Sequence, residues 1–166
     1  MTPQSPSTTA GDAVLQTAIQ MEQDGRDFYE AVAAATADPK VRQLCVRLAA
    51  DEARHAQTFR QMHSALAGRG RTVMLANGDR AAARRSARAA ILPDPQTVRD
   101  MALRGDVAAL LDLAIDVEVQ SVAYYLGFVD GVPARGVLEA IVGEEREHLR
   151  RLRLLRAMRG GREPGK

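Results

Sequence analysis

Apolar residues recur along this chain at helical spacing, in four long stretches separated by short breaks. Val14, Leu15, Ala18, Ile19, Met21, Phe28, Tyr29 and Val32 share one face of a first predicted helix, from Ala13 to about Thr36, with Asp12 as its N-cap. Asp38-Pro39 signals a turn and a restart. A second helix is predicted from about Pro39 to Leu66, with Val41, Leu44, Cys45, Leu48 and Phe59 inward, stopped by Gly68-Arg69-Gly70. A third starts near Asp106 and runs to about Val129, carrying Leu110, Leu111, Ala114, Ile115, Val122, Tyr125 and Leu126. Asp130-Gly131-Val132-Pro133 predicts a tight turn, with Pro133 placed to open a fourth helix. That helix turns Val137, Leu138, Ile141, Leu149, Leu152 and Leu155 inward and fades into Gly160-Gly161. Residues 68–105 form a long crossover. Within it Asn77-Gly78 suggests a turn, Ala81 to Ala90 a short Ala/Arg helix, and Gln96 to Leu103 another after Pro93-Asp94-Pro95.

Six polar residues intrude on the inward faces: Glu22, Glu52, His55, Glu118, Glu145 and His148. Two of the helices carry Glu-x-x-His, in Asp51-Glu52-Ala53-Arg54-His55 and Glu144-Glu145-Arg146-Glu147-His148. Three residues on a helix turn about 300°, so Glu and His lie one turn apart on one face. The halves repeat. Ala18-Ile19-x-x-Glu22 with Tyr29 matches Ala114-Ile115-x-x-Glu118 with Tyr125, and Leu48 to His55 matches Ile141 to His148. A duplicated antiparallel hairpin implies an all-α four-helix bundle with pseudo-twofold symmetry. Each hairpin places its two glutamates at similar distances from its turn, hence at one height, near mid-helix. The long crossover fits a bundle with one long connection.

Four carboxylates facing one another inside a bundle are costly unless protonated or neutralised. Two divalent cations would cancel their charge. One Glu from each of two helices plus Glu-x-x-His from each of the other two is the ligand set of a carboxylate-bridged di-metal centre. Mixed oxygen and nitrogen donors with room for water or dioxygen suit iron or manganese, or a mixed pair, better than a closed zinc site. Glu52 and Glu145 are the expected bridges; Glu22 and Glu118 the expected terminal ligands. Asp51 and Glu144 are placed to accept the outer ring N–H of the histidine from the opposite half. Tyr29 and Tyr125, two turns beyond Glu22 and Glu118, are candidates to donate to a carboxylate or pass an electron; core packing with a satisfied hydroxyl is an equal alternative. A lone Glu-x-x-His means little. Two of them, each preceded by an acid and each following an inward glutamate on the previous helix, are far more specific. Cys45 reads as a small core residue and His63 as a surface one.

At 166 residues the chain is expected to form one domain over residues 12–158, with flexible ends at 1–11 and 159–166. The single cysteine excludes an internal disulfide and a Cys-rich metal centre. No apolar run reaches membrane-span length, and the first eleven residues lack the pattern of a signal peptide, so a cytoplasmic protein is expected. The net charge of +2 does not by itself indicate nucleic acid. Arg69, Arg71, Arg80, Arg84, Arg85 and Arg88, with Arg150, Arg151, Arg153 and Arg156, have no interleaved aromatics and read as solvated helical faces.

Glu22-x6-Tyr29, Asp51-Glu52-Ala53-Arg54-His55, Glu118-x6-Tyr125 and Glu145-x-x-His148 resemble the rubrerythrin and ferritin-like superfamily, over about residues 13 to 158. The resemblance implies a non-haem centre of two iron ions that reduces hydrogen peroxide or dioxygen, coupled to Fe(II) oxidation, as a rubrerythrin-like peroxidase or a ferroxidase. Non-catalytic iron binding, buffering or an interaction module is the alternative. Rubrerythrins usually carry a further Glu one turn after the third-helix ligand; Ser121 stands there, as in a bacterioferritin-like ligand set. No rubredoxin domain follows, so turnover would need an external, for example rubredoxin-like, electron donor. No fifth helix is predicted, which argues against a ferritin cage; a homodimer is expected.

Overall fold

The computed structural model describes residues 10–67, 92, 94–127, 129–131 and 134–160. They form five α-helices: α1 Ala10–Ala35, α2 Pro39–Ala67, α3 Pro95–Arg104, α4 Val107–Leu126 and α5 Arg135–Gly160. Of the expected flexible ends, residues 10–11 and 159–160 are helical; the rest of both ends, the Asn77-Gly78 turn, the Ala81 to Ala90 helix and Pro133 lie outside the described residues. α1 packs along α2 and α4 along α5, giving two hairpins; α3 lies against α1. The described part is all-α, a four-helix bundle plus one short helix.

Helix ends depart from expectation more than helix centres. α1 begins at Ala10, so Asp12 lies inside it; a cap preference is a local term that further helical hydrogen bonds override. α4 stops at Leu126, because Gly127 closes it with its N–H on the Tyr124 carbonyl and Val129–Gly131 tightens into a 3₁₀ turn. α5 opens at Arg135. α3 is one residue longer at each end than predicted. Asp94 caps it, accepting from the backbone N–H groups of Gln96 (3.0 Å) and Thr97 (3.1 Å), while Pro95 takes the first helical position, where no N–H is needed. Gly105, at φ +78°, ends α3 in the left-handed conformation that glycine adopts without a Cβ clash, letting α4 start at once.

The bundle has two apolar plugs. One joins Leu15, Ala18 and Met21 of α1 with Phe59 of α2, Tyr125 of α4 and Leu138 and Ile141 of α5. The other joins Tyr29, Val32, Val41, Cys45 and Leu48 with Val98 of α3, Leu110 and Ala114 of α4, and Leu152. Along α2 and α5 the plugs are separated by the Glu-x-x-His segments, so the polar layer lies between them. Cys45 is a core residue whose thiol burial pushes up to about 12. His63 is half-buried on α2 rather than on the surface, because its neighbour Met62 turns into the first plug. On α5, Arg150 and Arg151 pair with Glu147 (2.7 and 2.9 Å), and Arg156 grips Asp112 of α4 with both arms (2.8 and 3.0 Å). Among the described residues no helix is long and apolar enough to cross a membrane.

Candidate metal centre

Each helix of the bundle contributes to the polar layer. α1 supplies Glu22, α2 Glu52 and His55, α4 Glu118, and α5 Glu145 and His148. None of the six is more than 3% exposed, so water does not solvate their charges. Ligand-type atoms from Glu22, Glu52, His55 and Glu145 lie within 4.8 Å of one another, as do atoms from Glu52, Glu118, Glu145 and His148. The two groups share Glu52 and Glu145 and differ in one Glu and one His each. A bridged pair of cations would draw on its donors in that way.

Both imidazoles turn the same edge inward. His55 Nδ1 lies 2.9 Å from Glu145 Oε1 and 3.4 Å from Glu22 Oε2. His148 Nδ1 lies 3.4 Å from Glu145 Oε2, 3.7 Å from Glu118 Oε1 and 3.8 Å from Glu52 Oε1. The rings stack, with centroids 5.8 Å apart. Their outer nitrogens cross to the opposite half: His55 Nε2 meets Glu144 Oε2, and His148 Nε2 meets Asp51 Oδ2, each at 3.2 Å. With Nε2–H donating to a carboxylate, Nδ1 is the nitrogen that faces the layer and, once its proton is lost, presents its lone pair there.

The tyrosines cross as well. Tyr29 of α1 donates its hydroxyl to Glu118 Oε1 on α4, and Tyr125 of α4 donates to Glu22 Oε1 on α1. Sequence spacing placed each tyrosine on the face of the glutamate in its own helix; in the bundle each serves the glutamate of the other half. Ser121 turns its hydroxyl back to the Val117 carbonyl (3.2 Å) and offers the layer nothing. Arg54 makes a contact that helical spacing alone does not predict. It binds both Asp51 and Glu144, and the sequence hint was that Glu147 occupies the matching place in the second half.

Protonation follows from this crowding. Burial, then the charges of Glu22 and Glu145, holds Glu52 well above the usual carboxylate range. Burial and Glu145 raise Glu118 to about 8. Burial also opposes charge on the other groups, but is outweighed there. Neighbouring Glu118, His148 and His55 keep Glu145 below its ordinary value. Glu145, Glu52 and Glu144 raise His55 to about 9; Glu118 and Glu145 raise His148 to about 11. Protons therefore do the neutralising in the metal-free site. They do it incompletely: both His Nδ1 atoms, both Glu145 oxygens and Glu118 Oε2 are buried without an aligned hydrogen bond. Such groups carry a desolvation cost that two cations would remove, so the donor set fits a metal pair.

A family model described as rubrerythrin matches residues 13–95, half of the chain. The chain belongs to the rubrerythrin family. The match covers the first hairpin, and the internal repeat carries the same ligand pattern into the second. A solved structure from Thermotoga maritima, provisionally described as a ferritin-like diiron-carboxylate protein, has a similar fold. It aligns with a TM-score of 0.64 at 23% identity, over 90% of this chain and 95% of that one. Among curated proteins, nothing matches.

Proposed function

We propose that this rubrerythrin-family protein is a di-iron carboxylate oxidoreductase that reduces hydrogen peroxide or dioxygen while Fe(II) is oxidised. The observation carrying this reading is the pair of four-donor groups sharing Glu52 and Glu145 in one buried layer. Glu22 and His55 would hold one iron, Glu118 and His148 the other, with Glu52 and Glu145 common to both. Manganese or a mixed pair would fit the same donors. When bound as Fe(II), the pair supplies two electrons to the oxidant.

The chain's own residues set the conditions. Asp51 and Glu144 hold each imidazole with Nδ1 inward. Burial, with Glu118 and Glu52 nearby, keeps Tyr29 protonated far above neutrality, so its hydroxyl acts as a fixed donor to Glu118 and not as a base. The apolar plugs on either side limit water. Re-reduction between turnovers falls to an external donor.

Anaerobic titration of metal-free protein with Fe(II) tests the reading, followed by mixing with limiting peroxide or dioxygen while near-UV absorption is recorded. Saturation near two irons per chain is expected, one for each group. Rapid oxidation should be lost in Glu52→Ala and His148→Ala. The faster oxidant identifies the substrate, and continued turnover of added Fe(II) marks a ferroxidase. Tight binding without oxidation would favour a non-catalytic iron-binding role. Variants indistinguishable from wild type would overturn the metal centre itself.

A further inference from the structure

The two hairpins repeat the candidate ligands and the acid before each Glu-x-x-His, but the residue just before each histidine differs in the sign of its charge. Arg54 stands between Glu52 and His55; its counterpart between Glu145 and His148 is Glu147. The structure shows what the mismatch does. Arg54 Nη1 lies 2.7 Å from Asp51 Oδ1, and its Nη2 binds Glu144 Oε2. Asp51 in turn meets His148, and Glu144 meets His55. One guanidinium thus closes a continuous chain, His148–Asp51–Arg54–Glu144–His55, across the outer edge of α2 and α5. Glu147 instead faces Arg150 and Arg151.

We propose that Arg54 is the positioning residue for both histidines of the centre, an inference that rests on the di-metal reading above. Asp51 and Glu144 come from different hairpins and carry like charge. Both are held below their ordinary carboxylate values; burial opposes this in each, and Arg54 and the facing histidine outweigh it. Without a cation between them these carboxylates repel and are free to turn to solvent. Each histidine then loses the acceptor that fixes its outer N–H and keeps Nδ1 directed inward. A planar fork can hold two carboxylates at once, in fixed directions; an ammonium on a flexible stem holds them less firmly. The Arg54 side chain is 54% exposed, so its ion pairs contribute little to fold stability. Its effect belongs to the geometry of the centre.

Co(II) is the probe, being spectroscopically visible and slow to oxidise. Wild type, Arg54→Ala, Arg54→Lys and, as a surface-arginine control, Arg146→Ala are titrated with Co(II) by d–d absorption. The hyperfine-shifted, exchangeable imidazole N–H signals are followed by proton NMR. Wild type should bind two Co(II) and show two such signals. Arg54→Ala should bind Co(II) about tenfold more weakly, the lower end for loss of an outer partner. Both its N–H signals should broaden by solvent exchange, with metal-free melting moved by no more than a few degrees. Arg54→Lys should recover part of both effects, and Arg146→Ala should match wild type. Wild-type affinity and two sharp N–H signals in Arg54→Ala would overturn the positioning role alone. Failure of wild type to take up two Co(II) would overturn the di-metal reading and this inference with it.

Discussion

At the scale of single residues, the centre depends on each polar atom having one assigned direction. Tyr29 shows the point: it is fully buried, and its hydroxyl donates to Glu118 Oε1, while Glu118 Oε2 is buried without a hydrogen bond. Tyr29→Phe removes the donor and leaves a buried acceptor unmatched, a loss of about 1–3 kcal/mol. The metal-free variant should therefore unfold at lower urea, while the stoichiometry of Co(II) binding stays at the wild-type value. A fall in stoichiometry would show that the hydroxyl helps to hold the ligand in place. The inward placement of the six buried polar side chains was legible in sequence because each interrupts an apolar stripe at helical spacing. The targets of the tyrosines were not. Which glutamate a hydroxyl reaches depends on how two hairpins face each other, and spacing within one helix carries no such information. Arg54 was hidden for a related reason: an exposed arginine beside an acid on a helix ordinarily reads as a surface pair.

At the scale of elements, α2 and α5 do most to set the layer's height. Leu48 lies four residues before Glu52, and Leu152 four after His148; both are fully buried in the same plug. They are the apolar neighbours one turn from the ligands. Leu48→Ala and Leu152→Ala should each destabilise the metal-free protein by about 2–5 kcal/mol through lost burial and the cavity left behind. Equilibrium urea unfolding checks this, and a loss below 1 kcal/mol would mean that the plug collapses around the gap. The interiors of these helices were readable because many side chains vote for one period. Their ends were not. The start of α1 at Ala10 and the early stop of α4 at Leu126 turn on a few hydrogen bonds that local preferences hardly distinguish. The short α3 was legible through Asp94 and Pro95, though the Pro-Asp-Pro run reads as a break until the cap is seen.

At the scale of the whole molecule, the proposed metal pair would compete with protons for one buried layer, which would make stability depend on pH with opposite tendencies in the two forms. In the metal-free protein His55 and His148 titrate near 9 and 11 instead of 6.5, and Glu118 near 8 instead of 4.5. The folded state thus holds these protons more tightly than the unfolded chain. The histidine contribution is complete below the unfolded value and is lost as pH rises through the folded values. The penalty for keeping Glu118 neutral grows from its unfolded value up to about 8. Glu145, Asp51 and Glu144 are shifted downward, so their contribution is lost only on acidification. Between about pH 6 and 9 the metal-free protein should therefore melt at progressively lower temperature. Metal bound as proposed would require the same groups without protons. Each proton it displaces raises apparent affinity by about tenfold per pH unit, up to the pKa of that group. At fixed free Co(II) the metal-dependent rise in melting temperature should widen across the same window. Calorimetry at several pH values, with a chelator and with Co(II), measures both lines. Parallel lines would mean that the protons held by His55, His148 and Glu118 are not the ones metal displaces, and that the buried layer serves something other than a cation pair.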